Sequence, residues 1–229
     1  MRAGRAPVSR ERRRHFVRRA VVWLPVLLAA RRSLAGSGPY PQTLAALAHA
    51  HQRETDAHRR YAAFAERATR EGYKGIAYMF SAFAASEAIH ARNFRTLIGQ
   101  LGTEPAPAPT VVEPGDTKSN LIAAVDDEID SIDKLYPDTL RLLQAEGHAS
   151  AIRYVEFAWQ SERQHRDLIQ KIRRYSPLLF ERVAREIDSK TGLYFVCQTC
   201  GSTLHKVPQP ACPVCASPSE RYRQVPLPG

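Results

Sequence analysis

Residues 71–90 read "EGYKGIAYMFSAFAASEAIH", and 75 positions later residues 146–165 read "EGHASAIRYVEFAWQSERQH". Both stretches begin with Glu-Gly and end with Ser-Glu-x-x-His at the same offset. Positions i and i+3 of an α-helix share a face, so each glutamate and its histidine can point at one place. A single Glu-x-x-His is common on helix surfaces. Its recurrence inside an internal duplication indicates that each half of the chain delivers half of one site.

Each Glu-x-x-His helix follows a helix that carries a lone glutamate. Glu54 lies 33 positions before Glu87, and Glu128 lies 34 positions before Glu162. The periodicity of apolar residues predicts four long helices, from Pro41 to about Arg70, from Gly72 to about Leu101, from Asp116 to about Ala145 and from Gly147 to about Arg173. Four prolines between positions 105 and 114 separate the two hairpins. This order predicts an all-α four-helix bundle with ferritin-like connectivity.

A tyrosine accompanies each lone glutamate. Tyr61 follows Glu54 by seven residues and Tyr136 follows Glu128 by eight, about two helical turns in each case. We therefore expect each tyrosine on the face of its own glutamate, where the phenol would support a carboxylate by a hydrogen bond. The alternative is that both tyrosines only fill the core.

The clustered carboxylates require positive charge. Two carboxylates about 4 Å apart repel by roughly 4 kcal/mol at an effective dielectric constant near 20. Two divalent cations balance four glutamates, and two neutral imidazoles complete an oxygen-rich donor set that suits iron or manganese better than structural zinc. The pattern predicts a dinuclear metal site, bridged by Glu87 and Glu162, with the ligands Glu54, Glu87, His90, Glu128, Glu162 and His165.

All four cysteines lie in the last 33 residues, as Cys197-x-x-Cys200-Gly and Cys212-Pro-x-Cys215. Two such turns place four thiolates on one metal ion. Zinc would make this module structural, and iron would make it a one-electron relay. The neighbouring dinuclear site favours iron, because a redox site needs a supply of electrons.

The charge of the chain is concentrated at its start. Of the formal net charge of +10, the first 32 residues hold ten arginines against one acid, and positions 33–229 hold 23 basic and 22 acidic residues. The near-neutral remainder gives no support for nucleic-acid binding. We divide the chain into a basic tail or signal-like segment, the bundle, a connector helix and a four-cysteine domain, at residues 1–38, 39–173, 174–192 and 193–229.

The N-terminal tail combines a basic run with eleven apolar residues, "AVVWLPVLLAA", which are too few to span a bilayer. "RRRHFVR" resembles a twin-arginine export signal, but Arg31 and Arg32 directly follow the apolar run, where such signals avoid positive charge. We expect a cytoplasmic protein, with periplasmic export as the alternative and membrane contact only through this segment.

Together these motifs resemble the rubrerythrin family over about residues 41–226. The resemblance rests on "RETDAHRRY", "SEAIH", "DDEIDSIDKLYP", "SERQH" and "YFVCQTCG…ACPVCASP". It implies a ferritin-like domain with two iron ions and a C-terminal rubredoxin-like domain with one iron (or zinc), in a homodimer or higher homo-oligomer. It also implies an NADH-linked peroxidase of oxidative-stress defence, which reduces hydrogen peroxide with electrons from a donor protein. The electrons would pass from the Fe(Cys)₄ centre to the di-iron site across the dimer interface.

One position departs from the family pattern. The third helix of the family carries a second ligating glutamate five positions before Tyr-Pro, and this chain has Ser131 there. The remaining four glutamates and two histidines form a symmetric set closer to bacterioferritin. A ferroxidase or iron-handling protein that uses oxygen or peroxide is therefore the alternative function. A zinc-ribbon scaffold with a vestigial bundle is a third, non-enzymatic one.

Overall fold

The computed structural model describes residues 38–105, 111–173, 180–190 and 192–228, without the side chains of 170–173, 183 and 188–190. Apart from Gly38, the predicted basic tail lies outside the described residues. Within the described ranges, no helix is long and apolar enough to cross a membrane.

The bundle consists of two helical hairpins. The first pairs α1 (Pro41–Arg70) with α2 (Lys74–Gln100). The second begins with α3 (Thr117–Asp130), continues through a π-helical turn (Ser131–Leu135) into α4 (Tyr136–Glu146), and returns as α5 (Ala149–Arg173). A further helix, α6 (Phe180–Lys190), precedes the cysteine-containing segment. The predicted ferritin-like bundle is confirmed.

The Glu-Gly pair that opens each repeat links the two hairpins. Gly72 and Gly147 adopt the left-handed conformation that glycine allows at the end of a helix, with φ of +86° and +72°. The glutamate before each glycine accepts backbone N–H groups at the start of the other hairpin. Glu71 accepts from Thr117 at 2.8 Å, and Glu146 accepts from residues 42 and 43 at 2.9 and 2.8 Å. A carboxylate there satisfies N–H groups that have no partner within their own helix.

The π-helical turn accounts for the unequal spacing of the two tyrosines. We expected one regular helix from Asp116 to Ala145, but the N–H of Tyr136 donates to the carbonyl of Ser131, five residues earlier. A π turn takes up one extra residue, as the eight-residue spacing in the second half requires. Pro137 has no N–H for the carbonyl four residues before it, and Trp159 Nε1 donates to the carbonyl of Ile132 at 3.0 Å.

Two apolar clusters pack along the bundle. One contains aromatic rings from the α1–α2 hairpin, among them Tyr61, Phe80 and Phe83. The other contains Phe94, Tyr136 and several leucines. The predicted ligands on each helix stand between residues of the first cluster and residues of the second. The core thus holds a polar layer between two apolar ones.

The four-cysteine segment folds around a small antiparallel sheet, in the order β2 (Thr203–Leu204), β1 (Phe195–Cys197), β3 (Tyr222–Gln224). The register places Cys197 opposite Tyr222. Tyr78 of α2 anchors this segment to the bundle, because its hydroxyl donates to the carbonyl of Val225 at 2.9 Å and accepts from the N–H of Tyr194 at 3.2 Å. The short strands alone give little core, so the cysteines and the contact with α2 must contribute to holding them in place.

Candidate metal centre

The six predicted ligands meet in the polar layer of the bundle. One comes from α1, two from α2, one from α3 and two from α5. All are buried, with exposures from 0% to 4%: Glu54, Glu87, His90, Glu128, Glu162 and His165. The i, i+3 spacing of each Glu-x-x-His places both its side chains on the inner face of the helix.

The ligand atoms form two groups that share two glutamates. His90 Nδ1 lies 2.7 Å from Glu87 Oε2, 3.2 Å from Glu162 Oε1 and 3.7 Å from Glu54 Oε2. His165 Nδ1 lies 3.2 Å from Glu87 Oε1, 3.3 Å from Glu162 Oε2 and 3.6 Å from Glu128 Oε1. In each group, four ligand atoms lie within 4.8 Å of one another. Glu87 and Glu162 therefore offer one oxygen to each group, as bridging carboxylates would.

The hydrogen-bonding state of these atoms fits two bound cations. Among the described residues, four buried ligand atoms have no hydrogen-bond partner: Glu87 Oε1, Glu128 Oε2, Glu162 Oε1 and His165 Nδ1. Unpaired buried polar atoms are costly and rare in folded proteins. Divalent cations would satisfy all four atoms and would balance the four carboxylates.

The outer nitrogens of the two histidines contact the four-cysteine segment. His90 Nε2 lies 3.1 Å from the carbonyl oxygen of Cys200, and His165 Nε2 lies 3.2 Å from Thr203 Oγ1. A carbonyl only accepts hydrogen bonds, so Nε2 of His90 donates to it, and Nδ1 is the nitrogen that faces the carboxylates and would bind a metal. We expected the link between the two metal centres to cross a dimer interface. In the structure, the contact between His90 and the carbonyl of Cys200 links the two donor sets within one chain.

Gly201 makes this close contact possible. A Cβ at this position would lie 2.3 Å from His90 Nε2, and the φ of +83° also favours glycine. The carbonyl of Gly201 accepts from Ser86 Oγ at 2.8 Å, and the N–H of Thr203 donates to Gln164 Oε1 at 2.9 Å. Sequence patterns could not predict these contacts, because they join elements more than 35 residues apart.

The two tyrosines each donate a hydrogen bond to a ligand glutamate across the bundle. Tyr61 donates to Glu128 Oε1 at 2.7 Å, and Tyr136 donates to Glu54 Oε1 at 2.6 Å. Each phenol thus supports a ligand carboxylate, and that carboxylate is the glutamate of the other hairpin. Neighbours on one helix share a face, but a long phenol that points into a bundle reaches the facing helix instead.

We expect Tyr61→Phe and Tyr136→Phe each to weaken metal binding and activity by about 10- to 100-fold, the usual effect of removing a hydrogen bond to a ligand. Each loss should affect the metal held by the glutamate across the bundle, which metal titration of the apoprotein would measure. Tyr78→Phe is the matched control for metal affinity, because it removes a buried phenol hydrogen bond that does not reach a ligand of the dinuclear site. Equal effects of all three variants would contradict the assigned roles.

The imidazoles and carboxylates perturb one another strongly. Burial raises the pKa of Glu54 and of Glu128 to about 8, and the neighbouring carboxylates add to the rise. Burial disfavours a charged Glu87, but His165 and His90 lower its pKa to about 2. Burial opposes protonation of the two histidines, but the surrounding glutamates raise the pKa of each well above its ordinary value.

These shifts predict that the metal-free protein loses stability as the pH rises. A group whose pKa is higher in the folded state stabilises the fold fully below its unfolded pKa, and this contribution disappears as the pH rises through the folded pKa. For Glu54 and Glu128 the window runs from 4.5 to about 8, and the raised histidine pKa values act in the same direction. We expect the Tm of the metal-free protein to fall by roughly 5–10 °C between pH 5.5 and 8.5.

Thermal unfolding followed by circular dichroism would measure this fall. The metal-loaded protein should not show it, because bound cations replace the protons. The metal-free Glu54→Gln/Glu128→Gln variant should have a flatter profile than the wild type. A Tm of the metal-free wild type that rises over this range would contradict the electrostatic account.

The four cysteine sulfurs form a second donor set. They are free of disulfides and lie within 4.8 Å of one another, with 3.7 Å between Cys197 and Cys215 and 3.6 Å between Cys200 and Cys212. Hydrogen bonds from Cys197 and Cys200, and a further one from Tyr222 at 3.2 Å, hold the pKa of the Cys212 thiol far below its ordinary value. Four clustered cysteine sulfurs suit one tetrahedral metal ion, either iron or zinc.

Comparisons with known proteins agree with this geometry. The family model for rubrerythrin matches residues 45–173. The chain is 32% identical to nigerythrin of Nitratidesulfovibrio vulgaris over 173 residues, which cover 74% of this chain and 79% of nigerythrin. It is 28% identical to rubrerythrin-2 of Clostridium acetobutylicum over 171 residues, which cover 74% of this chain and 89% of that protein.

Solved structures show the same likeness. Nigerythrin in a mixed-valence state superposes with a TM-score of 0.66 at 29% identity, over 80% of this chain and 86% of nigerythrin. Bacterioferritin of Desulfovibrio desulfuricans superposes with a TM-score of 0.59 at 22% identity, over 65% of this chain and 88% of that protein. At that identity, the second likeness concerns the fold alone.

Proposed function

The chain belongs to the rubrerythrin family, and from this premise we propose that it is a di-iron peroxidase that reduces hydrogen peroxide to water. Family membership makes it an oxidoreductase with a dinuclear iron site. The observation that favours the peroxidase is the hydrogen bond from His90 to the carbonyl of Cys200. It joins the four-cysteine donor set directly to the carboxylate–histidine donor set, as an electron relay requires.

The residues of the dinuclear site would divide the work between binding and positioning. Glu54 and His90 would hold one iron, Glu128 and His165 the other, with Glu87 and Glu162 shared. When bound, the irons supply the electrons for the reduction and act as Lewis acids towards peroxide. Tyr61 and Tyr136 fix the orientation of the terminal glutamates. Phe83 stacks on His165 at 4.3 Å between ring centroids and shields this side from water.

The four-cysteine site would hold the relay iron. A separate electron donor, itself reduced by electrons from NADH, would reduce this iron. Cys215 is the most exposed of the four cysteines, so electrons would reach the site from that side. We retain the homodimer and the cytoplasmic compartment as part of the proposal.

Ser131 supports a second candidate, an iron oxidase. The six-ligand set of four glutamates and two histidines is symmetric, and the usual seventh ligand is absent at this position. Such a protein would oxidise added Fe(II) and retain it beyond the three ions that the two donor sets bind.

Steady-state turnover separates the two candidates. The peroxidase should consume one NADH per hydrogen peroxide through a reductase and a small electron carrier, with its iron content unchanged. The protein could instead continue to oxidise and retain added Fe(II) and fail to reduce hydrogen peroxide with electrons from NADH. That result would refute the peroxidase assignment in favour of the iron oxidase. A protein that binds only zinc would exclude both.

A further inference from the structure

The dinuclear site has two different faces. On one face, the histidines contact the four-cysteine segment through their outer nitrogens. On the other face, a cavity of about 10 Å³ touches all four ligand glutamates and neither histidine. Electrons and small molecules therefore have separate approaches to the same centre.

The mouth of this cavity is polar and partly exposed. It is lined by Arg53, Arg60, Asp127 and Ser131. Arg53 Nη2 lies 3.5 Å from Ser131 Oγ, to which it donates, and Arg60 Nη2 lies 3.0 Å from Asp127 Oδ2. The four charged or polar side chains are intermediate in burial, so the cavity communicates with the surface.

An unsatisfied polar atom at the mouth points to a ligand in this cavity. The metals would satisfy the unpaired oxygens of the glutamates that line it, but they would not satisfy Arg60 Nε. Arg60 Nε is buried without a hydrogen-bond partner within the described part of the chain. A cavity of this volume holds about one water molecule.

Ser131 lines the opening. It is the first residue of the π-helical turn and lies one turn after Glu128, so a longer side chain there would enter the cavity. Its hydroxyl both donates and accepts hydrogen bonds, and the adjacent Arg53 donates only.

We propose that the opening between Arg53, Arg60 and Ser131 is the port through which the oxidant reaches the dinuclear site, and that Ser131 selects hydrogen peroxide against larger hydroperoxides. This inference rests on the proposed function. The overall step is H₂O₂ + 2 e⁻ + 2 H⁺ → 2 H₂O: the O–O bond breaks, two new O–H bonds form, the bound irons would supply the two electrons, and the protons come from solvent. The Ser131 hydroxyl positions the oxidant by hydrogen bonding and does not change its own bonding.

Variants of Ser131 test the port. In iron-loaded protein, Ser131→Leu should lower kcat/KM for hydrogen peroxide by about tenfold or more, because a blocked approach misplaces the oxidant. It should weaken the binding of azide, added as a small anionic probe to the oxidised protein, to a similar degree. Ser119→Leu on the exposed face of α3 is the matched control and should change neither quantity. Wild-type kcat/KM and azide affinity in an iron-replete Ser131→Leu variant would overturn the proposal.

The selectivity between small and large hydroperoxides provides a second measurement. It does not require Ser131→Leu and can still be made if that variant fails to bind iron. The wild type should turn over tert-butyl hydroperoxide at least about 100-fold less efficiently than hydrogen peroxide, since a near-attack position requires the reacting oxygens to reach the site. Ser131→Ala should narrow this ratio. A wild type that reduces both oxidants equally well would also overturn the port.

The azide measurement separates the two hypotheses. Absence of peroxide turnover by the wild type would refute the proposed function, while weaker azide binding in Ser131→Leu would still support the port. Peroxide turnover that is insensitive to position 131 would refute the port alone.

Discussion

Replacing Glu87 by glutamine should remove both metals of the dinuclear site, whereas replacing Glu54 should weaken only one. Glu87 offers an oxygen to each of the two ligand groups, and Glu54 belongs to the group around His90 alone. Even the loss of a residue that only supports a ligand costs 10- to 100-fold in metal affinity. We therefore expect Glu87→Gln to lose on the order of 100-fold or more in affinity for each metal, and in peroxide turnover.

The metal contents of Glu87→Gln and Glu54→Gln, compared with each other, test whether Glu87 bridges the two metals. Metal analysis after dialysis should give close to no dinuclear metal for Glu87→Gln and about half occupancy for Glu54→Gln. Glu66→Gln, a change of the same kind at an exposed position of α1, should retain the wild-type content. Full occupancy of both positions in Glu87→Gln would show that Glu87 does not bridge.

Replacing Cys212 by serine should abolish donor-driven turnover while leaving a chemically reduced dinuclear site able to react with peroxide. Cys212 is a buried member of the four-cysteine group and receives hydrogen bonds from its neighbours. A structural metal contributes about 10–16 kcal/mol of binding free energy in small zinc peptides, so a three-thiolate site should leave the short strands poorly folded. His90 would then lose its contact with the carbonyl of Cys200.

Two measurements on the Cys212→Ser protein distinguish a relay from an independent module. Steady-state turnover with an electron donor should fall to background, and a single turnover after chemical reduction should persist. Glu220→Gln, an exposed change in the same segment, should alter neither rate. Undiminished donor-driven turnover in Cys212→Ser would mean that electrons do not pass through the cysteines.

The sequence was sufficient for the bundle and for the composition of the donor sets. Helical spacing determines which face Glu87 and His90 share, and the duplication supplies the same pair in the second half. Two Cys-x-x-Cys turns identify a four-thiolate cluster before any fold is known. These features depend on local geometry, which the order of residues specifies directly.

Contacts between elements could not be predicted in the same way. Tyr61 lies on the face of Glu54 as expected, yet its hydroxyl bonds to Glu128, because the packing of the hairpins decides which carboxylate it reaches. The eight-residue spacing before Tyr136 was visible, but only the structure shows that a π turn absorbs the extra residue. The contact of Gly201 with His90 joins residues 111 positions apart. Neither the Glu-x-x-His motif nor the Cys-x-x-Cys motif could predict it.

The most direct test of the central claim is anaerobic stopped-flow oxidation of the fully reduced, iron-loaded protein by hydrogen peroxide and, separately, by oxygen. The absorption of the thiolate-bound iron and that of the oxidised dinuclear site would be followed together. Our account predicts that peroxide oxidises the dinuclear site much faster than oxygen does, and that the thiolate iron is oxidised afterwards. A faster reaction with oxygen, or a cysteine site that stays spectrally silent because it holds zinc, would contradict it.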